Sequence, residues 1–190
     1  MIRTYQLKLY INKGKQDKIK QILREYRRTA KKIADFQWYL FFQSKFNKNA
    51  DVKNINSKLS ARYKQTCQYQ VVGILESFIS NRQNDFAEIV HKSKLSDDVK
   101  LKLFYINKYK LWFHSEVKKR RENTEGKKIE IEKEIIKLSR KIFKHILSGH
   151  TKPNFKHINM ALDNKIAVVK KKEEGKAKEF DYWIKLSTLE

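Results

Sequence analysis

The chain has 190 residues, of which 44 are Lys or Arg and 21 are Asp or Glu, giving a formal charge of +23 at pH 7. A surface this positive repels itself unless a polyanion covers part of it, and nucleic acid is the polyanion to expect first. No run approaches the roughly 20 apolar residues of a membrane span, so no membrane is expected as a partner, and the single cysteine, Cys67, excludes an internal disulfide or a cysteine-based zinc ribbon.

The opening residues show neither the apolar core of a signal peptide nor an Arg- and Ser-rich presequence, so the expected location is cytoplasmic. One Pro and five Gly imply long regular elements, mostly helices. Residues 2–11 alternate, with Tyr5, Leu7, Leu9 and Ile11 on one side, and predict a half-buried strand followed by a turn over 12–15. Ile19, Ile22, Leu23, Tyr26, Ala30, Ile33, Ala34 and Phe41 then recur at helical spacing, predicting a first helix to about Phe46. Beside that stripe run Lys20, Arg24, Arg27 and Lys31, a ladder of charge with the pitch of a helical turn. With the neighbouring Arg28, these are candidates for contact with a phosphate backbone; the alternative is a merely solvated face.

Residues 47–56 are polar and Asn-rich, a loop. A second helix is expected from Ser57 or Ser60 to near His91, its inward face marked by Val71, Leu75, Phe78, Arg82, Phe86 and Ile89. Ser96 followed by Asp97 and Asp98 is an N-cap with acidic residues on the helix dipole, predicting a third helix to about Arg120. That helix reads as apolar almost all round, which predicts that it is sandwiched. The run 118–128 is a charged, exposed turn. Ile131, Ile135, Leu138, Ile142 and Ile146 predict a fourth helix, closed by Lys144, His145, Gly149 and Pro153. Strands are expected over 155–162, 165–170 and 178–186, joined by a tight turn at Asp163-Asn164 and an open one over 170–176. A lone N-terminal strand is not stable, so it is expected to pair with the C-terminal strands. The fold class is then α+β, a helical lobe inserted into a small β-barrel or sheet.

Catalytic constellations are missing from this pattern. A metal-dependent nuclease needs carboxylates converging on hard cations, commonly with one in an apolar strand, and Asp97, Asp98, Asp163 and Asp181 all read as caps, turns or loops. His145, His150 and His157 are too scattered for a zinc site, and no phosphate-binding loop or nucleophile elbow occurs. No catalytic residue, metal or cofactor is therefore assigned to the chain. Recognition chemistry remains. Gln offers paired contacts to adenine edges, Lys and Arg reach guanine or phosphate, and Tyr stacks. In the stretch "RYKQTCQYQVVGILESFISNRQNDF", Lys64 and Gln68 share a helix face, as do Gln65 and Tyr69. With Gln70 they are the candidate base readers, although Gln is also a good exposed helix former. Arg62, Arg82 and the run Lys118, Lys119, Arg120 and Arg121 complete the candidate backbone contacts.

The strings "RTYQLKLYINKGKQDKIKQILREYRRTAKKIADF", "LSARYKQTCQYQVVGILESFISNRQNDF" and "NFKHINMALDNKIAVVKKKEEGKAKEFDYWIKLST", in this order, resemble the N-terminal half of the transposon-encoded TnpB nucleases and their type V CRISPR effector relatives. The resemblance spans nearly the whole chain but rests on pattern and order. It implies a wedge strand at 1–14, a helical recognition lobe at 15–150 and returning wedge strands at 151–190. It further implies guide RNA and double-stranded target DNA as partners, with Lys64, Gln65 and Gln68 helping to read a short motif beside the target. Family members cut with a RuvC domain whose three acidic residues follow the wedge, usually with a zinc-ribbon insertion. Neither lies in these 190 residues. Magnesium is then expected only in that nuclease part, and the chain is expected to bind without cutting: a shortened form, a partner of a separate RuvC-containing chain, or a binder without a nuclease. A stand-alone basic regulator or nucleic-acid chaperone without a guide, and a module for an acidic protein, are the alternatives.

Overall fold

In the computed structural model, residues 10–120, 128–171 and 182–187 are described. Helix α1 (Lys13–Phe42) opens where the turn over 12–15 was expected, because the Asn12 side chain accepts a hydrogen bond from Lys15 N (2.9 Å) and caps it. It ends four residues before Phe46 in a Schellman turn. Ser44 takes the left-handed conformation (φ 58°), Lys45 N reaches Leu40 O (2.8 Å) and Ser44 N reaches Phe41 O (3.1 Å).

Helix α2 (Ala61–Lys92) follows, with Ser60 as its N-cap residue. Tyr26 meets Cys67 and Gln70, while Trp38 meets Phe78 (5.9 Å between rings). Contacts advancing together along both helices mean that α1 and α2 run parallel. Parallel neighbours need a long crossover rather than a tight loop, and residues 43–60 supply it by running back along α1. Gln37 Nε2 donates to Asn47 O (2.8 Å), Thr29 Oγ1 lies 2.6 Å from Ser57 Oγ, and the buried Glu25 accepts from Lys58 N (3.1 Å). Each polar side chain facing inward on α1 thus answers a backbone or side-chain group of the crossover.

Helix α3 (Asp97–Lys108) packs antiparallel to α2 through a reciprocal clasp: Gln83 Nε2 donates to Asn107 O (2.6 Å) and Asn107 Nδ2 to Gln83 O (2.9 Å). It stops twelve residues before the expected Arg120. The cause is a second Schellman turn, with Lys110 at φ 57°, Leu111 N on Ile106 O (2.9 Å) and Lys110 N on Asn107 O (3.1 Å). Neither left-handed position carries Gly, so the usual stop signal is absent from the sequence. Nor is α3 sandwiched: Leu103 and Ile106 are buried, but Leu101 is 61% exposed, which makes α3 an outer helix. The charged run leads instead into a hairpin of β1 (Lys118–Arg120) and β2 (Lys128–Glu130), paired antiparallel with Lys119 opposite Ile129.

Helix α4 (Lys133–Ser148) lies where expected, with Gly149 as its C-cap. The core joins all four helices: Trp112 stacks on Phe143 (3.8 Å, 17° between planes), and Phe41 and Phe86 ring the pair. Phe155 and Ile166 belong to the same core. The expected strand 155–162 is not a strand. Its carbonyls and amides are met by side chains of α1 and α2 rather than by a neighbouring strand. Strands β3 (Ala167–Lys171) and β4 (Tyr182–Leu186) form an antiparallel hairpin with Val169 opposite Ile184. The turn before β3 is built by Asp163, whose Oδ1 accepts from Lys165 N (3.0 Å) and Ile166 N (3.1 Å).

The architecture is α+β and mostly helical, and among the described residues the strands form two two-stranded sheets with no closed barrel. Residues 2–9 of the strand expected over 2–11, residues 172–181 with Asp181, and Arg121 lie outside the described residues, while Tyr10 and Ile11 are not in a strand. Lys110→Gly is expected to raise stability by about 0.5–1 kcal/mol, since a side chain at positive φ costs roughly 1–2 kcal/mol and glycine's larger unfolded-state entropy offsets part of the relief. Thermal unfolding of the variant beside the parent checks this.

Candidate nucleic-acid interface

Two concavities gather half of the candidate residues. The larger, about 790 Å³, is a groove between α1 and the returning segment 151–156. One wall carries Arg24, Arg27, Arg28 and Lys31; the other adds Lys152 and Lys156, and Asp35 is the sole carboxylate lining it among the described residues. A cleft lined by one sign of charge beside a low-dielectric core focuses its field outward. Lys152 Nζ stands 5.3 Å from the Trp38 ring, which fixes it over the groove floor.

The wall is held by a zipper running antiparallel to α1. Arg27 Nε donates to Ile158 O (3.0 Å), Gln70 Nε2 to Asn159 O (3.0 Å), and Ala161 N to Tyr26 Oη (3.3 Å). Tyr26 Oη in turn donates to Gln70 Oε1 (2.9 Å), and burial pushes its phenol far above the ordinary range, so that proton stays in place. Burial likewise pushes the neighbouring Cys67 thiol up to about 12, leaving it an inert packing group.

The ladder residues divide by environment. Lys20, Arg24 and Lys31 are exposed and have no partner among the described residues. Arg28 is exposed while pairing with Glu25 (3.1 Å), and Arg27 is half-buried in the zipper. Lys152 and Lys156 escaped sequence reasoning because they join the ladder only when residues 151–156 fold back over α1. No periodicity signals that.

The second concavity, about 680 Å³, lies between the start of α2 and the crossover, lined among others by Lys48, Asp51, Arg62, Gln65, Gln68 and Tyr69. Four of the five candidate readers lose or share their freedom here. Gln68, a candidate reader, is buried, and its Nε2 donates to Ala50 O (2.7 Å), so it anchors the crossover. Gln70 is likewise tied into the zipper. Gln65 and Tyr69 stay accessible and bonded to each other (3.2 Å), with Tyr69 half exposed. Lys64 is half-buried, without a partner among the described residues.

Arg62 is also tied down. It donates to Gln65 Oε1 (2.7 Å) and is ion-paired with Asp163. Burial pushes the Asp163 carboxyl up, but the hydrogen bond from Arg62 and those from Lys165 N and Ile166 N outweigh it and hold the group below the usual carboxylate range. Arg82, a candidate backbone contact, has a side chain 15% exposed that pairs with Asp85 (2.6 Å) and lies over the Phe78 ring (5.1 Å). Lys118 is exposed on β1, with Lys119 and Arg120 following on the same strand.

Among the described residues no group of three or more His, Cys, Asp or Glu side chains could hold a metal ion, and no helix is long and apolar enough to cross a membrane. No protein-family model matches the chain, and no curated protein or solved structure is significantly similar to it.

A depressed folded-state pKa at Asp163 contributes stability that is present above the unfolded value, about 4, and is lost as pH falls through the folded one. Asp163→Asn is therefore expected to lower stability at neutral pH and to flatten the acid limb of the stability curve. Denaturant midpoints between pH 2 and 7 check this. An acid limb unchanged from the parent would mean that the Arg62–Asp163 pair adds nothing to stability.

Proposed function

We propose that the chain is the guide-RNA and target-DNA binding half, wedge plus recognition lobe, of an RNA-guided DNA endonuclease of the TnpB and type V CRISPR kind, and that it does not cleave alone. The observation that carries this reading is the groove in which, among the described residues, six cationic side chains from two distant parts of the chain face one carboxylate. A phosphate backbone is the ligand whose charge and repeat suit such a track. An A-form guide or guide/target heteroduplex gripped by its backbone needs no base-specific contacts there, and the cations that dominate the groove suit phosphates.

The chain path supports the wedge part of the proposal. A lobe inserted into a sheet must have its two connections close together. Because α1 and α2 run parallel, both begin at the end of the lobe where Asp163 pairs with Arg62 and Ser187 O accepts from Tyr63 Oη (3.0 Å). The residues entering α1 and the β3–β4 hairpin leaving the lobe therefore lie toward the same end, as an insertion requires. The order of parts in the sequence, which resembles the family's, is the remaining support.

Sequencing the RNA that copurifies with the chain tests the proposal. A discrete, structured RNA of defined sequence is expected. Heterogeneous RNA would favour a guide-free chaperone, and failure to bind RNA or DNA at moderate ionic strength would end the nucleic-acid reading. With that RNA as probe, the exposed pair Arg24→Ala and Lys31→Ala together should weaken binding and make the plot of log affinity against log salt shallower by roughly 1.5, at about 0.7 to 0.9 for each phosphate left without its cation. An unchanged slope would remove the ladder from the interface.

A further inference from the structure

The second concavity has a chemical polarity that follows from proton bookkeeping alone. A guanidinium can only donate hydrogen bonds. Arg62 Nη1 lies 2.7 Å from the Gln65 amide, so the atom it meets must be the oxygen, and the orientation of Gln65 is thereby fixed. The amide nitrogen then faces Tyr69 Oη at 3.2 Å, where it donates one of its two protons. Tyr69 Oη accepts that proton and so turns its own proton away. Asp163 holds the far side of Arg62 and keeps the relay from rotating. Arg62, Gln65 and Tyr69 lie at i, i+3 and i+7 on one stripe of α2, and all three line the concavity.

The outward-facing groups of the relay are consequently a Gln65 N–H and the Tyr69 O–H, both donors. Across the concavity Asp51 is the carboxylate among the described lining residues, its Oδ1 occupied by Lys53 N (2.8 Å), with the Asn49 amide beside it. We infer that the start of α2 selects base edges presenting two adjacent acceptors, and so reads guanine, through O6 and N7, in preference to adenine. The same Gln without its Arg would be free to make the paired donor and acceptor contact that suits adenine, whose edge places an amino donor where guanine has O6. Arg62 takes one of the two lone pairs of the Gln65 oxygen and fixes its direction, so the relay disfavours that choice. The target is duplex DNA, because the major groove of B-form DNA exposes this edge to side chains, whereas that of A-form RNA is too deep and narrow to enter.

This inference rests on the proposed function and sharpens one part of it. The test is selection of duplexes from a DNA library with a randomised ten-base-pair core by the full chain, carrying whatever RNA copurifies with it. At one or more positions guanine should be enriched over adenine by about tenfold, in line with a single paired contact. Gln65→Glu keeps size and the Arg62 contact but replaces the outward donor by an acceptor. It should abolish the guanine preference or transfer it to cytosine, whose N4 amino group donates, while leaving the RNA salt slope and the melting temperature near those of the parent.

Guanine preference retained by Gln65→Glu overturns the inference, as does an equal loss on every duplex, which would mean that the relay contacts phosphate. Absence of any duplex binding overturns it too. If structured RNA is still bound in that case, only the base-reading inference fails, whereas loss of both RNA and DNA binding removes the proposed function with it.

Discussion

Tyr26 is the constraint on which both concavities depend. Its ring is fully buried between α1 and α2, and its hydroxyl joins three parts of the chain, donating to Gln70 on α2 and accepting from Ala161 of the returning segment. Burying a phenol is costly unless its oxygen is satisfied. Here both hydrogen-bonding roles are filled, so the segment 151–163 is positioned over the helix pair to within hydrogen-bond tolerance. The groove wall and the Asp163 that steadies Arg62 both lie on that segment.

The parallel arrangement of α1 and α2 sets the geography. Antiparallel neighbours joined by a short loop would have placed the start of α1 and the start of α2 at opposite ends of the lobe. The 43–60 crossover prevents this. It is held along α1 by a row of polar groups (Gln37, Lys32, Thr29 and Glu25), each matched to the crossover. The ladder on α1 and the relay on α2 therefore occupy neighbouring parts of one lobe. A nucleic-acid complex with one strand on the ladder and a duplex at the relay is the geometry that the proposed function requires.

Polar side chains divide between two tasks in a way their identities do not reveal. Gln65, Gln68 and Gln70 lie within six residues. Gln65 faces the concavity, Gln68 anchors the crossover, and Gln70 bridges Tyr26 and Asn159. Arg24 and Arg82 are both Arg on helix faces. The first is free among the described residues, and the second is paired and laid over a ring. Each task follows from which other segment lies against the residue.

What the sequence by itself determined is local: the α+β composition, the spans of α2 and α4, the start of α3 after Ser96 and the stop of α4 at Gly149, the turn at Asp163, and the cationic stripe on α1. These follow from periodicity and from side chains acting on their own backbone. The early stops of α1 and α3 were not legible, because Ser44 and Lys110 adopt a left-handed conformation that their residue types do not advertise and that tertiary packing imposes. The second wall of the groove, the conversion of an expected strand into a side-chain zipper, and the fate of each Gln were decided only when distant segments met. A hydrogen bond from Ala161 to Tyr26 or from Arg27 to Ile158 spans more than 130 residues, and no local pattern can encode which partner a polar group will find at that separation.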